Sequence, residues 1–479
     1  MGTTEQVDLL IIGAGTAGLP AAIEAARHGL KVTVLEQADQ TGGTLWRSWA
    51  QLSAGGTELQ RARGIDDSPA QHFADVMRIS KGTADPTLVR LAVEHAPHTV
   101  DWLVSAGFDM DPDAPAILYF HEPYSLPRTY WGRRAGRSVL EVLLPRFERA
   151  CEDGAVTLHL NTTMTALRTD GANRVAGVTA TGPGGEVIEI DAASVVLTTG
   201  GYSGNARLFP ELTGGAPLVG PGAPTSTGTG LLAALELGAK TRGGDLFLPT
   251  YGGVLLPDSP TRTVPLDDYP QLTPQARPPW EIHVNARGER FVAEDSASVD
   301  VRETALLDQP DLRFWVVYDE AARRKAPPLL PSWTEAELDD AFATHPSFSR
   351  ADTLAELAEL AGVDPEGLRT SVEEYNAGVA AGNDRFGRAH LPLPIEQPPF
   401  HAVRNHGSTL KSPAGLVVDE NLRVVGPAGP IENLYAAGEA LGGSTLSGKS
   451  FVSGMSVTPA LSFGRLLGRR LAGADQGSV

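Results

Sequence analysis

An apolar run, Val7-Asp8-Leu9-Leu10-Ile11-Ile12, passes directly into Gly13-Ala14-Gly15-Thr16-Ala17-Gly18, and a helical stretch over 19–28 leads to a second run, 31–35, that ends in Glu36. The first run reads as a strand buried on both faces, as in a parallel sheet covered by helices. Gly13 permits the tight turn, Gly15 lets backbone N–H groups approach a pyrophosphate, and Gly18, after Ala17, lets the next helix pack on the strand. That helix points its partial positive charge at the phosphates. Glu36 stands where a carboxylate can take both ribose hydroxyls. Strand, glycines, helix, strand and acid occur in the order that a dinucleotide site requires.

Gln40-Thr41-Gly42-Gly43-Thr44 follows the second strand, where a flavin dinucleotide needs backbone close to its phosphate and ribityl groups. Near the other end, Asn433-Leu434-Tyr435-Ala436-Ala437-Gly438-Glu439 reads as a strand, a glycine turn and an acid. A βαβ unit closed by so distant a segment resembles the flavoprotein family of fumarate reductase, succinate dehydrogenase and 3-ketosteroid dehydrogenase. Thr198-Thr199-Gly200-Gly201-Tyr202 with Asn205, and Val284-Asn285-Ala286-Arg287-Gly288-Glu289-Arg290-Phe291 with Glu294, carry the same resemblance over nearly the whole chain. It implies FAD as cofactor. It also implies cofactor contacts at Thr199, Gly200, Gly201, Asn205, Gly230, Gly438 and Glu439, beside Gly13, Gly15, Ala17, Gly18, Glu36, Gly42, Gly43 and Thr44. The expected fold is α/β: a Rossmann-like FAD-binding domain, its parallel sheet carrying a β-hairpin insert, with an inserted α+β cap. The FAD domain is expected over 1–241 and 399–479 and the cap over 242–398.

Composition excludes several classes. A net charge of −19 gives nucleic acid or an anionic membrane no basic surface to bind. A single cysteine, Cys151, leaves neither a disulfide framework nor the paired cysteines of c-type haem attachment. No His/Cys/Asp cluster has metal-ligand spacing. No apolar stretch is long enough to span a bilayer, and the N-terminus enters a strand without a signal peptide, so a cytoplasmic protein is expected.

Between these landmarks, helical spacing places scaffold helices within 51–107 and an amphipathic helix over 137–150. An aromatic loop, 119–131, separates them. Strands are predicted over 156–161 and 194–199, a hairpin over 175–181 and 186–190, and a helix over 231–237. In the cap, prolines cluster between 249 and 279; a strand over 313–317 and helices over 335–342, 353–360 and 364–380 follow.

The flavin carries the redox chemistry and the chain supplies position and proton transfer. Gly454-Met455-Ser456-Val457 opens what looks like the family's last helix, whose N-terminus, at Ser456 and Val457, stabilises negative charge on the flavin. In the ketosteroid pattern a glycine N–H here also binds the substrate ketone, which assigns that role to Gly454. The fumarate pattern is broken. Its arginine proton donor, four residues after Glu294, falls on Ser298, with Arg302 one turn further. Its substrate arginine has no counterpart near Phe451, where only Lys449 is cationic. Its substrate histidines fall at Lys411 and Leu248. Clamping two carboxylates needs bidentate donors, so fumarate and succinate are not expected as substrates; one carboxylate remains within reach of Lys449, Lys411 or Arg302. The ketosteroid pattern also needs tyrosines. Its C-terminal one is replaced by Ser450 or Phe451, leaving Tyr124 and Tyr130 in the aromatic loop and Tyr251 and Tyr269 in the cap. His121 and His406 are alternative bases. The resulting expectation is an FAD-dependent dehydrogenase that places a double bond next to the carbonyl of a cyclic ketone, with Tyr124, Tyr130, Tyr251, Lys449 and Gly454 at the site. A quinone, dye or oxygen would accept the electrons. An enone or enoate reductase running the same steps in reverse is the alternative.

Overall fold

The computed structural model describes residues 5–171, 174–220 and 222–474. Leu9, Leu10 and Ile11 of β1 (Glu5–Ile12) are wholly buried, as a strand in the middle of a parallel sheet requires. After α1 (Gly18–Arg27), β2 (Val32–Leu35) runs parallel to β1, with Leu9 beside Val32. The helices α2 (Pro69–Ile79) and α3 (Pro86–Ser105) start with Pro at N1 after Ser68 and Asp85, whose side chains accept from first-turn N–H groups. The helix α4 (Gly136–Glu152) leads to β3 (Val156–His159), parallel to β2 at the sheet edge.

The hairpin insert is larger than predicted. β4 (Thr163–Thr169), β5 (Val175–Thr181) and β6 (Val187–Leu197) form an antiparallel meander, of which β4 is an additional strand. The segments expected as two strands, 186–190 and 194–199, are one. No Gly or Pro separates them, so β6 runs unbroken through Asp191 and Ala192. Its outer half pairs with β5 (Gly177 with Asp191), and it lies parallel to β1 from Ile190 to Leu197. α5 (Thr229–Glu236) follows.

The inserted part has its own antiparallel sheet and cores. Its elements are β7 (Ile282–Val284), α6 (Val299–Leu307), β8 (Arg313–Asp319), α7 (Glu335–Thr344), β9 (Phe348–Ala351), α8 (Leu354–Ala361), α9 (Pro365–Ala381) and β10 (Phe400–His406). The order across this sheet is β7-β8-β10-β9. Because β10 pairs with both β8 and β9, the strand expected to open the returning FAD segment at 399 belongs to the inserted sheet. We propose that the inserted unit ends near residue 406. The chain then closes the first sheet through β11 (Arg423–Gly426) and β12 (Gly429–Ala436), which lies parallel to β6 with Leu434 beside Val195. The main path of that sheet is β11-β12-β6-β1-β2-β3. The last helix, α10 (Val457–Leu471), packs on α1, where Arg465 Nε donates to the buried Glu24 at 2.8 Å.

The acid of the Arg-Phe-x-x-Glu motif organises the cap. Buried Glu294 accepts from Arg290 at 2.9 and 2.7 Å and from Arg388 at 3.2 Å, and Arg290 also bonds Asp384 at 2.6 Å. Burial alone would raise the Glu294 pKa, but the hydrogen bonds from Arg290 and the charges of Arg388 and Arg290 outweigh it and hold it at about 2. Removing one member of such a buried set leaves uncompensated charge. Glu294→Gln is therefore expected to destabilise the protein by about 3–5 kcal/mol, read from its denaturant midpoint at neutral pH. The carboxylate's contribution is complete above its ordinary pKa of 4.5 and is lost as pH falls toward about 2, so the gap between variant and parent should narrow over that range.

Candidate active site

The C-terminal ends of β1, β2, β6 and β12 meet at one edge of the first sheet, where the parallel order places a ligand crevice. Gly13 has φ +102°, and a Cβ on Gly18 would lie 1.9 Å from Gly13 O, so strand–helix packing requires both glycines. Gly15 differs: a Cβ there would meet only Gly43 Cα, at 3.9 Å. The two loop backbones face each other across a narrow cradle, and Gly42 N donates to Ala14 O at 2.8 Å to hold the second loop against the first. Glu36 accepts from Ala14 N at 2.8 Å and Ala38 N at 2.9 Å, which fixes its carboxylate beside the turn. Ala17 is buried and Thr44 is exposed.

Segments far apart in the chain complete this edge. Glu439 accepts from Ser412 N at 2.7 Å, Tyr202 N donates to Ser412 Oγ at 2.7 Å, and Ala414 N donates to Tyr202 Oη at 3.0 Å. A Cβ on Gly201 would strike Ser412 Oγ and Glu439 Oε1, so Gly200–Gly201, Gly438–Glu439 and the 411–414 segment form one surface. Burial raises the Glu439 pKa. Thr199 Oγ1 is buried without a protein partner, and Gly230 leaves room for it, since a Cβ there would lie 2.4 Å away. Ser456, which precedes the first turn of α10, is exposed and makes no side-chain cap bond; Val457 is half-buried. Asn205 plays a local part: Oδ1 accepts from Arg207 N and Leu208 N, and Nδ2 donates to Thr227 O. A glycine-walled cradle, a fixed carboxylate, an orphaned hydroxyl and an uncapped helix terminus fit an adenine–flavin dinucleotide.

Of the expected catalytic groups, Tyr124, Tyr130 and Gly454 gather around Leu52–Ser53, whereas Tyr251 and Lys449 lie elsewhere. Tyr124 is buried beneath the 451–454 loop, its hydroxyl donating to Ser453 O at 2.6 Å with His72 Nε2 at 3.4 Å. Tyr130 is buried too, its hydroxyl shared with Thr57 Oγ1 at 2.8 Å and Ala54 O at 3.4 Å. Tyr251 lies in the cap core, stacked on Phe314, with its hydroxyl 2.9 Å from His283 Nδ1. Tyr269 bonds Thr263 and Ser408. Burial pushes all four phenols above their usual pKa, the wrong direction for a base. The Lys449 side chain is exposed, and its backbone N–H donates to Thr83 Oγ1. His406 lies on β10 in the cap sheet. Gly454 has φ +76° and presses on Ser53 N, where a Cβ would approach to 2.4 Å. Its own N–H has no acceptor among the described residues.

A different group assembles where the cap meets the 411 and 451 segments. Half-buried Lys411 donates to Ser447 Oγ at 3.2 Å and lies 4.9 Å from the Phe451 ring centre. The Phe451 ring stacks on His121 at 3.9 Å. His121 Nδ1 is 3.7 Å from Glu303 Oε1, and neither His121 Nδ1 nor Arg302 Nε has a hydrogen-bond partner. Arg302 donates through Nη1 to Leu272 O and lies over the Tyr251 ring. Burial, then the charges of Lys411 and Arg302, lower the His121 pKa to about 3, so the ring is neutral. Burial, then the charge of Asp300, raise Glu303 well above the carboxylate range. Burial lowers Lys411 to about 8 against the pull of Glu439 and Glu303. The sequence reading named Lys411, Arg302, His121 and Phe451 singly and passed over Glu303. The available signal was the i,i+3 spacing of Asp300 and Glu303, which sets two carboxyls on one side of α6.

Among the described residues no helix is long and apolar enough to cross a membrane, and no group of three or more His, Cys, Asp or Glu is placed to hold a metal ion. Fold and cradle together define a flavin-dinucleotide oxidoreductase. The FAD binding domain family matches residues 8–449, and the chain belongs to it. It is similar to a probable fumarate reductase of Shewanella frigidimarina, 27% identical over 98% of this chain and 76% of that protein. Among solved structures it is similar to the open conformation of a flavocytochrome c3 fumarate reductase (TM-score 0.75, 26% identity, 99% of this chain and 80% of that one). It is also similar to the 3-ketosteroid-Δ4-(5α)-dehydrogenase of Rhodococcus jostii RHA1 (TM-score 0.69, 26% identity, 98% and 97%). The resemblance read from the motifs is thereby borne out, and FAD is the cofactor.

The cradle separates folding from cofactor binding. Gly15→Val is expected to yield protein that melts close to the parent's apo form yet carries no flavin absorbance, because its side chain fills the gap to Gly43 without striking the fold. Glu36→Arg is likewise expected to lose FAD, whereas Gly18→Val should fail to fold.

Proposed function

We propose that this FAD-dependent oxidoreductase reduces a C=C bond conjugated to a single carboxylate or similarly polarised acyl group. The observation that supports this reading is the pair of cations, half-buried Lys411 and buried Arg302, that act on the same two groups, His121 and Glu303, and make no ion pair with a carboxylate among the described residues. Buried charge is retained where it meets a partner, and a substrate carboxylate is that partner. FAD, once reduced, supplies the hydride for the β-carbon. Lys411 Nζ holds the carboxylate and draws charge toward it, and Arg302 Nε offers an N–H to the charge that develops next to it. Glu303, whose carboxyl burial pushes well above its ordinary pKa, holds the proton that the α-carbon must receive. The neutral ring of His121, 3.7 Å away, is placed to relay a proton to it, taking one up at one ring nitrogen as it gives one from the other. The cap closes this region from water through Asp300, which accepts from Ser450 Oγ at 2.6 Å and pairs with Lys81 at 3.2 Å.

Dehydrogenation of a cyclic ketone, the expectation from the motifs, is the second reading. The free N–H of Gly454 favours it, since that group would polarise a ketone oxygen. The hydroxyls of Tyr124 and Tyr130 speak against it, being committed elsewhere.

A panel of fumarate, propenoate-type monoacids and cyclic ketones, with an artificial electron mediator, separates the two. Monoacid reduction is expected, with no turnover of fumarate. Lys411→Met should lower kcat/KM at least about 100-fold with flavin retained. Only the ammonium binds the carboxylate, so kcat/KM should fall about tenfold per pH unit above about 8, and Lys411→Arg should move that decline upward. Ketone desaturation unaffected by Lys411→Met would sink the reading.

A further inference from the structure

A second group of cations stands on the inserted sheet, a different sheet from the one that forms the cofactor edge. Arg404 and His406 are two positions apart on β10 and so project from the same face. Arg313 of β8 stands opposite His406 in the register and shares that face. On the other side of β10, Ser347 O accepts from Arg404 N at 2.8 Å, which places Ser347 beside Arg404. The polar atoms of this group are left open. Arg404 is half-buried, and among the described residues its guanidinium makes no hydrogen bond and no ion pair. Arg313 Nε, both ring nitrogens of His406 and Ser347 Oγ are also buried without a hydrogen-bond partner. Asp311 bonds Arg313 Nη2 at 2.6 Å, but its side chain is mostly exposed, and a pair so open to water neutralises little. The groups act on one another. Burial, then the charges of Arg404 and Arg313, lower the His406 pKa to about 4 against the pull of Asp311. Burial, then the charge of Arg313, lower that of Arg404.

Arg404 thus lacks the carboxylate that Arg277, Arg290 and Arg388 each have in the same cap. The chain has 58 acidic residues and places none of them against it, which leaves the position to an anion from outside. We propose that Arg313, Arg404, His406 and Ser347 form a binding site for a phosphate group on the cap, separate from the site at Lys411. Two guanidiniums, an imidazole and a hydroxyl offer more donors than the roughly four lone-pair sites of a carboxylate accept, and they suit the oxygens of a phosphate. Arginine in particular grips phosphate through paired N–H groups. The ligand is free phosphate or a phosphate monoester, which present the same group. Bound here, it ties β8, β10 and the start of β9 together just before the chain leaves the cap for Lys411. The site is independent of the enoate reading.

The test titrates inorganic phosphate into the FAD-loaded enzyme at constant ionic strength, chloride making up the balance. Acetate is the carboxylate control and glycerol 3-phosphate the monoester. Saturable phosphate binding is expected, with acetate at least about tenfold weaker. Lys411→Met should retain it. Arg404→Gln should weaken it about 10- to 100-fold, the size expected for losing a hydrogen bond to a charged group. The melting temperature should rise with phosphate in the parent and not in Arg404→Gln. In phosphate-free buffer Arg404→Gln should leave the denaturant midpoint unchanged or higher, because it removes an unmatched cation. Tighter binding of the monoester identifies an ester as the ligand; equal or weaker binding identifies phosphate itself. Binding lost in Lys411→Met, or unchanged in Arg404→Gln, overturns the site, as does acetate bound equally well. A midpoint lowered by Arg404→Gln without phosphate also overturns it, because Arg404 would then serve the fold. Each of these failures leaves the enoate reading intact.

Discussion

Everything in this protein depends on the parallel alignment of β12, β6, β1 and β2. Parallel strands end at the same edge, so the loops leaving them are neighbours however far apart they lie in sequence. Leu10 sits beside Val195, and Val195 beside Leu434. This register brings the turn at Gly13, the glycines at 200 and 201 and the acid at Glu439 to one crevice. A parallel pairing also needs a long crossover, and the chain uses one of these connections to hold the whole inserted cap. The fold therefore makes the cofactor edge and the cap attachment the same place.

Buried charge is distributed in two ways, and the contrast separates scaffold from site. In the cap, Arg290 and Arg388 are matched by Glu294 and Asp384, and Arg277 by Glu281 at 2.8 Å. Each of these charges has a partner within hydrogen-bond reach, and Glu294 is ionised far below its ordinary range. Around Phe451 the balance fails. Two cations face a carboxyl whose pKa burial raises and an imidazole that burial keeps neutral. Unmatched buried groups with displaced pKa values are the physical mark of a site awaiting its ligand.

α6 links these two regions. Ser298 reaches the aromatic loop at Glu122, Asp300 reaches Ser450 and Lys81, and Arg302 and Glu303 supply half of the charged cluster. One short helix thus positions the acid, pins the loop beside it and seals the contact between cap and sheet. Movement of the cap would change access and chemistry together.

The sequence by itself determined whatever rests on local rules. The glycine turn, the strand–helix–strand period and Glu36 specified the dinucleotide edge, because φ and close approach are properties of single residues. Apolar spacing placed most helices within a few residues for the same reason. It erred where two pairings share one strand: nothing local tells that the hairpin arm at 186–190 and the core strand at 194–199 are continuous, since the partner changes but the backbone does not. The segment from 399 was expected in the FAD-binding part, whereas the place of β10 was decided by hydrogen bonds to β8 and β9. The site shows the same division. Tyr124 looked available as a base until its hydroxyl met Ser453, 329 residues on, and Glu303 drew no notice in the sequence because its raised pKa comes from burial beside Asp300. Desolvation and long-range pairing depend on what the rest of the chain places around a residue, so only the tertiary structure decided which polar groups were spoken for and which were free to react.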